Sequence, residues 1–524
     1  MTSADLVLLA FAIPFLTALA IPLFHRLPNV REATTLLGAV ALFATVMTIL
    51  GRVMAGERPA AGSLEVVPGL EIAFLVEPLG MIFACVASTL WIVNSIYSIG
   101  YMRGNNEPRQ TSFYVCFAVA LGATIGIAFA ANLFTLFLFY ELLTLSTYPL
   151  VTHKANEDAV KAGRVYLMLL IGTSMVLLLP AIVWTGALAG TLDFAPGGIL
   201  EGKASPALIG VLLFLYVYGI GKAAVMPVHF WLPAAMVAPT PVSALLHAVA
   251  VVKAGVFTVT KVVVYVFGID LLASAGTTGW MLWVAGFTVI VASIVALRQD
   301  NLKKRLAFST ISQLSYVVLA AAILAPISLV GAAVHIAAHA VSKITLFFAA
   351  GSVYTAAHVT EISQMNGIGR RMPWTMGAFA IGALSMIGVP PTAGFLGKWF
   401  MLSGAYETEK WIAVGVIILS TALNAAYFLP IVYSAFFRKE DEGHAKHHGD
   451  HGEAPLPIVI ALTLTAIGTV ALFLFPGPLV ELAQAMVDMG VDAVPDVASD
   501  MMPETTPEVS PEMPDAGTAT GDEQ

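Results

Sequence analysis

Apolar runs of roughly twenty residues recur from one end of this chain to the other, separated by short polar punctuation. Each run is long enough to cross a bilayer as a helix that satisfies its own backbone hydrogen bonds. The pattern predicts spans over 5–24, 33–54, 77–99, 112–131, 133–152, 160–187, 206–227, 240–266, 278–298, 302–324, 326–354, 373–403, 409–437 and 455–483. Only Asn132 punctuates the pair 4 and 5. Two spans carry helix breakers close to a lysine. In span 7, Gly219 and Gly221 precede Lys222 and Pro227 follows; in span 12, Gly388, Pro390 and Pro391 precede Lys398. Interrupted helices at corresponding places in two halves point to an internal repeat with an ion site at each break.

Composition fits this reading. Of 524 residues 58% are hydrophobic and 11% charged, and the mean hydropathy is +0.86. So few charges cannot cover the surface of a soluble protein of this length. The fold class expected is an all-α integral membrane protein of about fourteen helices. The two cysteines, Cys85 and Cys116, lie in apolar spans and form no CxxC, which excludes a cluster or thiolate zinc site built by this chain alone. No nucleotide fingerprint is present, so no cofactor and no active site of its own are expected. The N-terminus lacks a basic n-region and an AxA site, and no cleaved signal is expected.

The net charge of −8 comes from one end. From Asp488 to Gln524 there are ten acidic residues and no Lys or Arg; without them, 25 basic residues stand against 23 acidic. That Pro-rich segment, 486–524, reads as a disordered acidic tail. The loop 438–454 clusters four histidines in GHAKHHGDHGE, but flexible His-rich loops often hold no specific metal, and none is assigned. Positive charge sits in alternate loops. Arg26 and Arg31, Arg103 and Arg109, Lys154, Lys161 and Arg164, Arg298 to Arg305, Arg370 and Arg371, and Arg438 and Lys439 all follow odd-numbered spans. Arg52 and Arg58 are the main exceptions. The bias puts odd loops in the cytoplasm and both termini on the far side.

Ionisable side chains inside a bilayer are costly and mark ion or proton paths by default. Here they are Glu141 in span 5, Lys222 in span 7, His247, Lys253 and Lys261 in span 8, His335, His339 and Lys343 in span 11, and Lys398 in span 12. His335, His339 and Lys343 are spaced i, i+4, i+8 and share one helical stripe, as a water-bridged proton relay requires; snorkelling groups are the plainer alternative. Glu141 and Lys222 read as a coupled pair, because an isolated buried carboxylate would take up a proton and an isolated buried lysine would lose one. The plainer alternative is a static ion pair between helices. The candidate pathway is Glu141, Lys222, His247, Lys253, His335, His339, Lys343 and Lys398.

These residues lie in segments that resemble a known family. MPVHFWLPAAMVAPTPVSALLHAVAVVKAG (Met226 to Gly255), LFTLFLFYELLTLSTYPLV, HIAAHAVSKITLFFAAG, GVPPTAGFLGKWF, IYSIGYMRG and LKKRLAFSTISQLSY together cover most of residues 75–405. They resemble the antiporter-like subunits shared by respiratory complex I (NADH-quinone oxidoreductase) and the Mrp-type cation/proton antiporters. The resemblance implies three N-terminal helices (1–111), two inverted five-helix repeats (112–266 and 278–437) with broken helices 7 and 12, and a last helix (455–485). It also implies roles. Glu141 and Lys222 match the family's coupled pair, Lys253 its bridging position on helix 8, His335, His339 and Lys343 its hydrated axis, and Lys398 its terminal residue.

Only one span and a polar tail follow span 13, unlike the largest complex I member, and Lys398 stands where another carries Glu. The chain most resembles the D-type subunit of the Mrp antiporters, and the alternative is an antiporter-like member of complex I. Expected partners are the other membrane subunits of an antiporter or redox complex, with protons and Na+ as ions, the lipid bilayer, and no nucleic acid. The expected location is the bacterial cytoplasmic (inner) membrane.

Overall fold

A computed structural model describes residues 1–439 and 452–491. Most of the expected His-rich loop, and the expected tail beyond 491, lie outside the described residues.

Twelve helices among the described residues are long and apolar enough to cross a membrane. They are α1 (Ser3–Phe24), α2 (Pro28–Met54), α3 (Pro78–Gly104), α4 (Gln110–Ala128), α5 (Leu133–Val151), α6 (Glu157–Ala189), α8 (Thr240–Phe267), α9 (Gly279–Arg298), α10 (Leu302–Ile323), α11 (Pro326–Ala357), α14 (Trp411–Phe437) and α15 (Leu456–Leu474). Shorter apolar helices, α7 (Pro206–Gly219) and α12 (Pro373–Ile387), stand at the two positions where breakers interrupt the hydrophobic runs. After α12 the chain turns at Gly388 and resumes as α13 (Ala393–Glu407). After α7 a single tight turn, Gly221–Ala223, carries Lys222, and only short helical turns, Trp231–Ala234 and Ala235–Val237, follow before α8. The two breaks therefore differ: one resumes as a 15-residue helix and the other as short turns.

Side-chain caps set several boundaries. Asn132 accepts the Thr135 amide at 2.7 Å and starts α5, so the one polar residue between spans 4 and 5 is the N-cap that separates them. Asn156 and Asn301 cap α6 and α10 in the same way. The last predicted span is two helices, α15 and α16 (Gly477–Val491), parted at Pro476, and α16 runs into the segment expected to be tail.

One element departs from all-α. Residues Ala60–Val67 and Leu70–Leu75 pair as an antiparallel hairpin, β1 and β2, around Pro68 and Gly69. Phe74 bridges to Ala130, and Asn132 bridges to Asp193, so this hairpin covers the end of the bundle where α3 and α5 begin. The Pro-Gly pair between two β-branched and aromatic runs was the available signal.

Burial locates the centre. The most hydropathic stretch of α8 is 100% buried and those of α10 and α11 94% and 89%, against 33–39% for α1, α2, α6, α14 and α15. The His and Lys side chains of α8 and of α11 up to Lys343 (His247, Lys253, Lys261, His335, His339 and Lys343) are all buried in protein.

Candidate ion-translocation site

α5 and the first break make one cluster. The Lys222 ammonium donates to the Tyr140 carbonyl at 2.8 Å and to Thr144 Oγ1 at 2.6 Å, and lies 3.1 Å from the Tyr140 ring centroid. The Tyr140 hydroxyl accepts the Lys222 amide at 3.1 Å. α8 presses directly on this turn at Gly255, where a Cβ would lie 2.6 Å from the Lys222 carbonyl oxygen and nearer still to the adjoining backbone. Gly255→Ala is expected to destabilise the protein by roughly 1–3 kcal/mol through overpacking and to displace Lys222. A thermal melt in detergent alongside a proton-flux assay checks both.

Glu141 lies in the same part of α5, buried, and both its carboxylate oxygens lack a hydrogen-bond partner. It makes no ion pair with Lys222 within 4.0 Å among the described residues. Helix geometry explains the offset. Lys222 lies along the 140/144 stripe of α5, and residue 141 is turned by about 100° from residue 140. Any influence of Glu141 on Lys222 is therefore exerted through space rather than through contact.

α8 and α11 meet at the centre. Lys253 Nζ lies 2.6 Å from His339 Nδ1. The rings of His339 and His335 are 5.9 Å apart, as are those of His335 and Tyr316. The Lys398 ammonium stands 5.0 Å from the Tyr316 ring and donates to the carbonyls of Met386 and Ile387 at 2.7 and 3.0 Å. At Gly397 a Cβ would meet His335 Cβ at 2.8 Å, so this position lets α13 approach α11. Lys253, His339, His335, Tyr316 and Lys398 thus form a row.

The α11 stripe exists as spaced, but Lys343 turns away from the two histidines. It donates to Ser309 at 2.9 Å, and the Tyr427 hydroxyl reaches the same oxygen at 3.1 Å. His247 sits in a π-helical turn of α8, Leu245–Val249, against Phe347 at 4.8 Å, and among the described residues it hydrogen-bonds to none of the row. Both nitrogens of His247 and of His335, and Nε2 of His339, are buried without hydrogen-bond partners. Buried polar atoms of this kind are the donors and acceptors that a water chain bridges.

Three features escaped the sequence reading. Glu77 forms a buried 2.8 Å ion pair with Lys261. Lys303 donates to the Ala238 carbonyl at 2.6 Å at the opposite end of α8. Near that end Glu107 lies 3.9 Å from His153 in the loops outside the spans. Burial raises the Glu107 carboxyl above its ordinary range, and burial with the nearby Arg109 charge lowers the His153 imidazole. Glu77 immediately precedes Pro78 and Lys303 stands two residues after Asn301, so in the sequence both read as polar span boundaries.

Among the described residues no group of His, Cys, Asp and Glu could hold a metal ion.

Residues 130–424 match the family of the NADH:quinone oxidoreductase/Mrp antiporter transmembrane region. This chain belongs to that family. It is an antiporter-like membrane subunit of the Mrp or complex I type. It is 31% identical over 492 residues to NADH-quinone oxidoreductase subunit N of Desulforudis audaxviator, covering 90% of this chain and 96% of the relative. It is 28% identical over 422 residues to a probable K(+)/H(+) antiporter protein of Rhizobium meliloti (its A/B subunit), covering 76% of this chain but 41% of that longer protein. Against chloroplastic NAD(P)H-quinone oxidoreductase subunit 5 of Adiantum capillus-veneris, 32% identical, it spans 51% of the relative's length. The fold of this antiporter-like subunit matches a chain of the Mrp complex from Dietzia sp. DQ12-45-1b, with a TM-score of 0.82, 20% identity, and 94% and 98% of the two chains covered. It also matches a chain of an archaeal membrane-bound sulfane sulfur reductase, with a TM-score of 0.80 and 22% identity.

Proposed function

We propose that this chain carries protons across the membrane as one component of a multi-subunit monovalent cation/proton antiporter, in the manner of the D-type Mrp subunit, exchanging protons against Na+ or a similar cation. The observation that carries this reading is the row of buried bases from the Lys253–His339 contact through His335 to Lys398, with Lys222 packed beside α8 at the other break. A lysine at each interrupted helix gives two sites where a proton is taken up or released. Glu141 modulates the first from a short distance, and His247 and Lys343 flank the central row. In this reading α4–α8 and α9–α14 are two inverted repeats, the positively charged loops face the cytoplasm, and both termini lie outside it. Ionisable groups enclosed this fully in a membrane protein are functional by default.

A second reading has its own support. The full-length kinship with an N-type subunit of NADH-quinone oxidoreductase makes a proton-pumping member of a complex I-type redox assembly the alternative. The same row of residues serves both, because only the neighbouring subunits supply the driving force.

Affinity purification of the tagged chain from its own membranes, followed by identification of the co-purifying subunits, separates the two. Small membrane antiporter subunits, and Na+- or K+-driven alkalinisation in vesicles, support the first. Flavin and iron–sulfur subunits overturn it in favour of the second. Absence of any proton flux dependent on this chain overturns both.

A further inference from the structure

Two lysines of α8 lie on one stripe. Residues 253, 257 and 261 are spaced i, i+4, i+8 within an uninterrupted α-helical stretch, Val251–Val262. Lys253 touches His339 in the central row. Lys261 belongs to no part of the pathway described above. It is fully buried, pairs with Glu77 at 2.8 Å and donates to the Ala130 carbonyl at 2.8 Å. Glu77 sits at the start of α3, itself 4% exposed. Arg58, from the segment before the hairpin, is the other charge acting on it, and Tyr265 is the remaining titratable neighbour.

Aromatic rings stand on both sides of the Lys261 ammonium. Phe257 occupies the intervening position of the stripe, between the two lysines, and its ring centroid lies 5.7 Å from Lys261 Nζ. Phe194 lies 4.3 Å from the same nitrogen, and it also lines an open, mostly apolar pocket of about 480 Å3 at the hairpin, in which Ser63, Glu71 and Asp193 stand among Ala60, Ala61 and Phe74. Phe257 stands toward the central row, and Phe194 stands between the pair and the open pocket at the hairpin face.

We propose that Glu77 and Lys261 form an additional proton-transfer site, between the central row and the hairpin face, with Phe194 as its outer gate. The inference rests on the proton-carrying reading above. In the step it assigns, the Lys261 ammonium gives one proton to Glu77 across the 2.8 Å contact, leaving a neutral amine and a carboxylic acid. The acid then releases that proton to water reaching it past Phe194, and the amine takes the next from the row. The transfer between the two groups leaves the net charge of the pair unchanged, release from Glu77 leaves it singly negative, and reprotonation of Lys261 from the row restores it.

Breaking a buried pair from one side leaves an uncompensated charge, whereas removing both charges is often tolerated. The informative variant is therefore the double replacement Glu77→Gln with Lys261→Met, made in the assembled complex and assayed in membrane vesicles with a pH-sensitive dye. It should assemble normally and lower proton flux by about a hundredfold or more, the scale on which a proton-transferring group acts. Phe194→Ala should move the other way and raise the passive proton leak about threefold or more. Combined with the double replacement, that leak should vanish. A purely structural pair would not produce this dependence.

Wild-type flux in the double variant, with flux lost in Lys222→Ala, overturns the additional site and leaves the transport reading standing. Wild-type flux in both overturns the transport reading itself. A double variant that fails to assemble leaves the decision to Phe194→Ala, where an unchanged leak overturns the gate and with it the site.

Discussion

Lys222→Ala is expected to lower proton flux by about two orders of magnitude or more, the loss that follows removal of a positioned acid–base group, while expression and assembly stay near wild type. The hydrogen bonds around Lys222 explain why. Its ammonium donates to the Tyr140 carbonyl and to Thr144 Oγ1, but Thr144 Oγ1 also donates to that carbonyl within α5 at 3.2 Å. Removing the lysine therefore strands neither group. The vacated space favours a second variant, Lys222→Met, which fills it without charge and should transport equally poorly. Lys222→Arg should rescue little. A guanidinium holds its proton throughout the working range and presents a wide planar fork, where the present site holds a compact ammonium against one ring. Flux in vesicles from each variant, normalised to assembled complex, is the measurement. Most of wild-type flux in Lys222→Ala would remove this residue from the mechanism.

Glu141→Gln should impair transport to a similar degree, and Glu141→Asp less. The carboxylate is buried and its two oxygens have no hydrogen-bond partner, so its role lies in charge rather than in a contact that an amide could reproduce. Because Glu141 does not touch Lys222, the coupling is weaker than in a contact pair. Two unit charges at about 8 Å and an effective dielectric of ~20 interact by about 2 kcal/mol, or roughly thirtyfold. The double variant Glu141→Gln with Lys222→Ala should therefore fall short of the product of the two single losses by up to about that factor. Fully multiplicative losses would show that Glu141 acts independently of Lys222.

The membrane architecture is legible in the hydrophobic pattern because each span must satisfy its own backbone and present an apolar surface. The breaks near Lys222 and Lys398 are legible because Gly and Pro there leave the helix few alternatives. What the sequence hides is side-chain direction. Spacing puts His335, His339 and Lys343 on one stripe, yet it does not reveal that Lys343 reaches across to Ser309 on α10 while His339 meets Lys253. Nor does it reveal that Lys222 addresses Tyr140 and Thr144 rather than Glu141. Glu77 was missed for a related reason. A carboxylate one residue before a proline reads as the polar edge of a span, and only the tertiary fold carries Lys261 to it.

The Met386 and Ile387 carbonyls that receive the Lys398 ammonium are the last of α12, the end at which a helix concentrates partial negative charge. In the proton-carrying reading proposed above, the lysine that would offer a proton is therefore also the cation that neutralises a severed helix end. Proton release there cannot be electrically private. It leaves two carbonyls facing a neutral amine, and the loosened end belongs to a helix that packs against α11, which carries the His335 and His339 rings. On that reading, the protonation state of Lys398 would be felt by the helix that packs against the carrier of the next two rings.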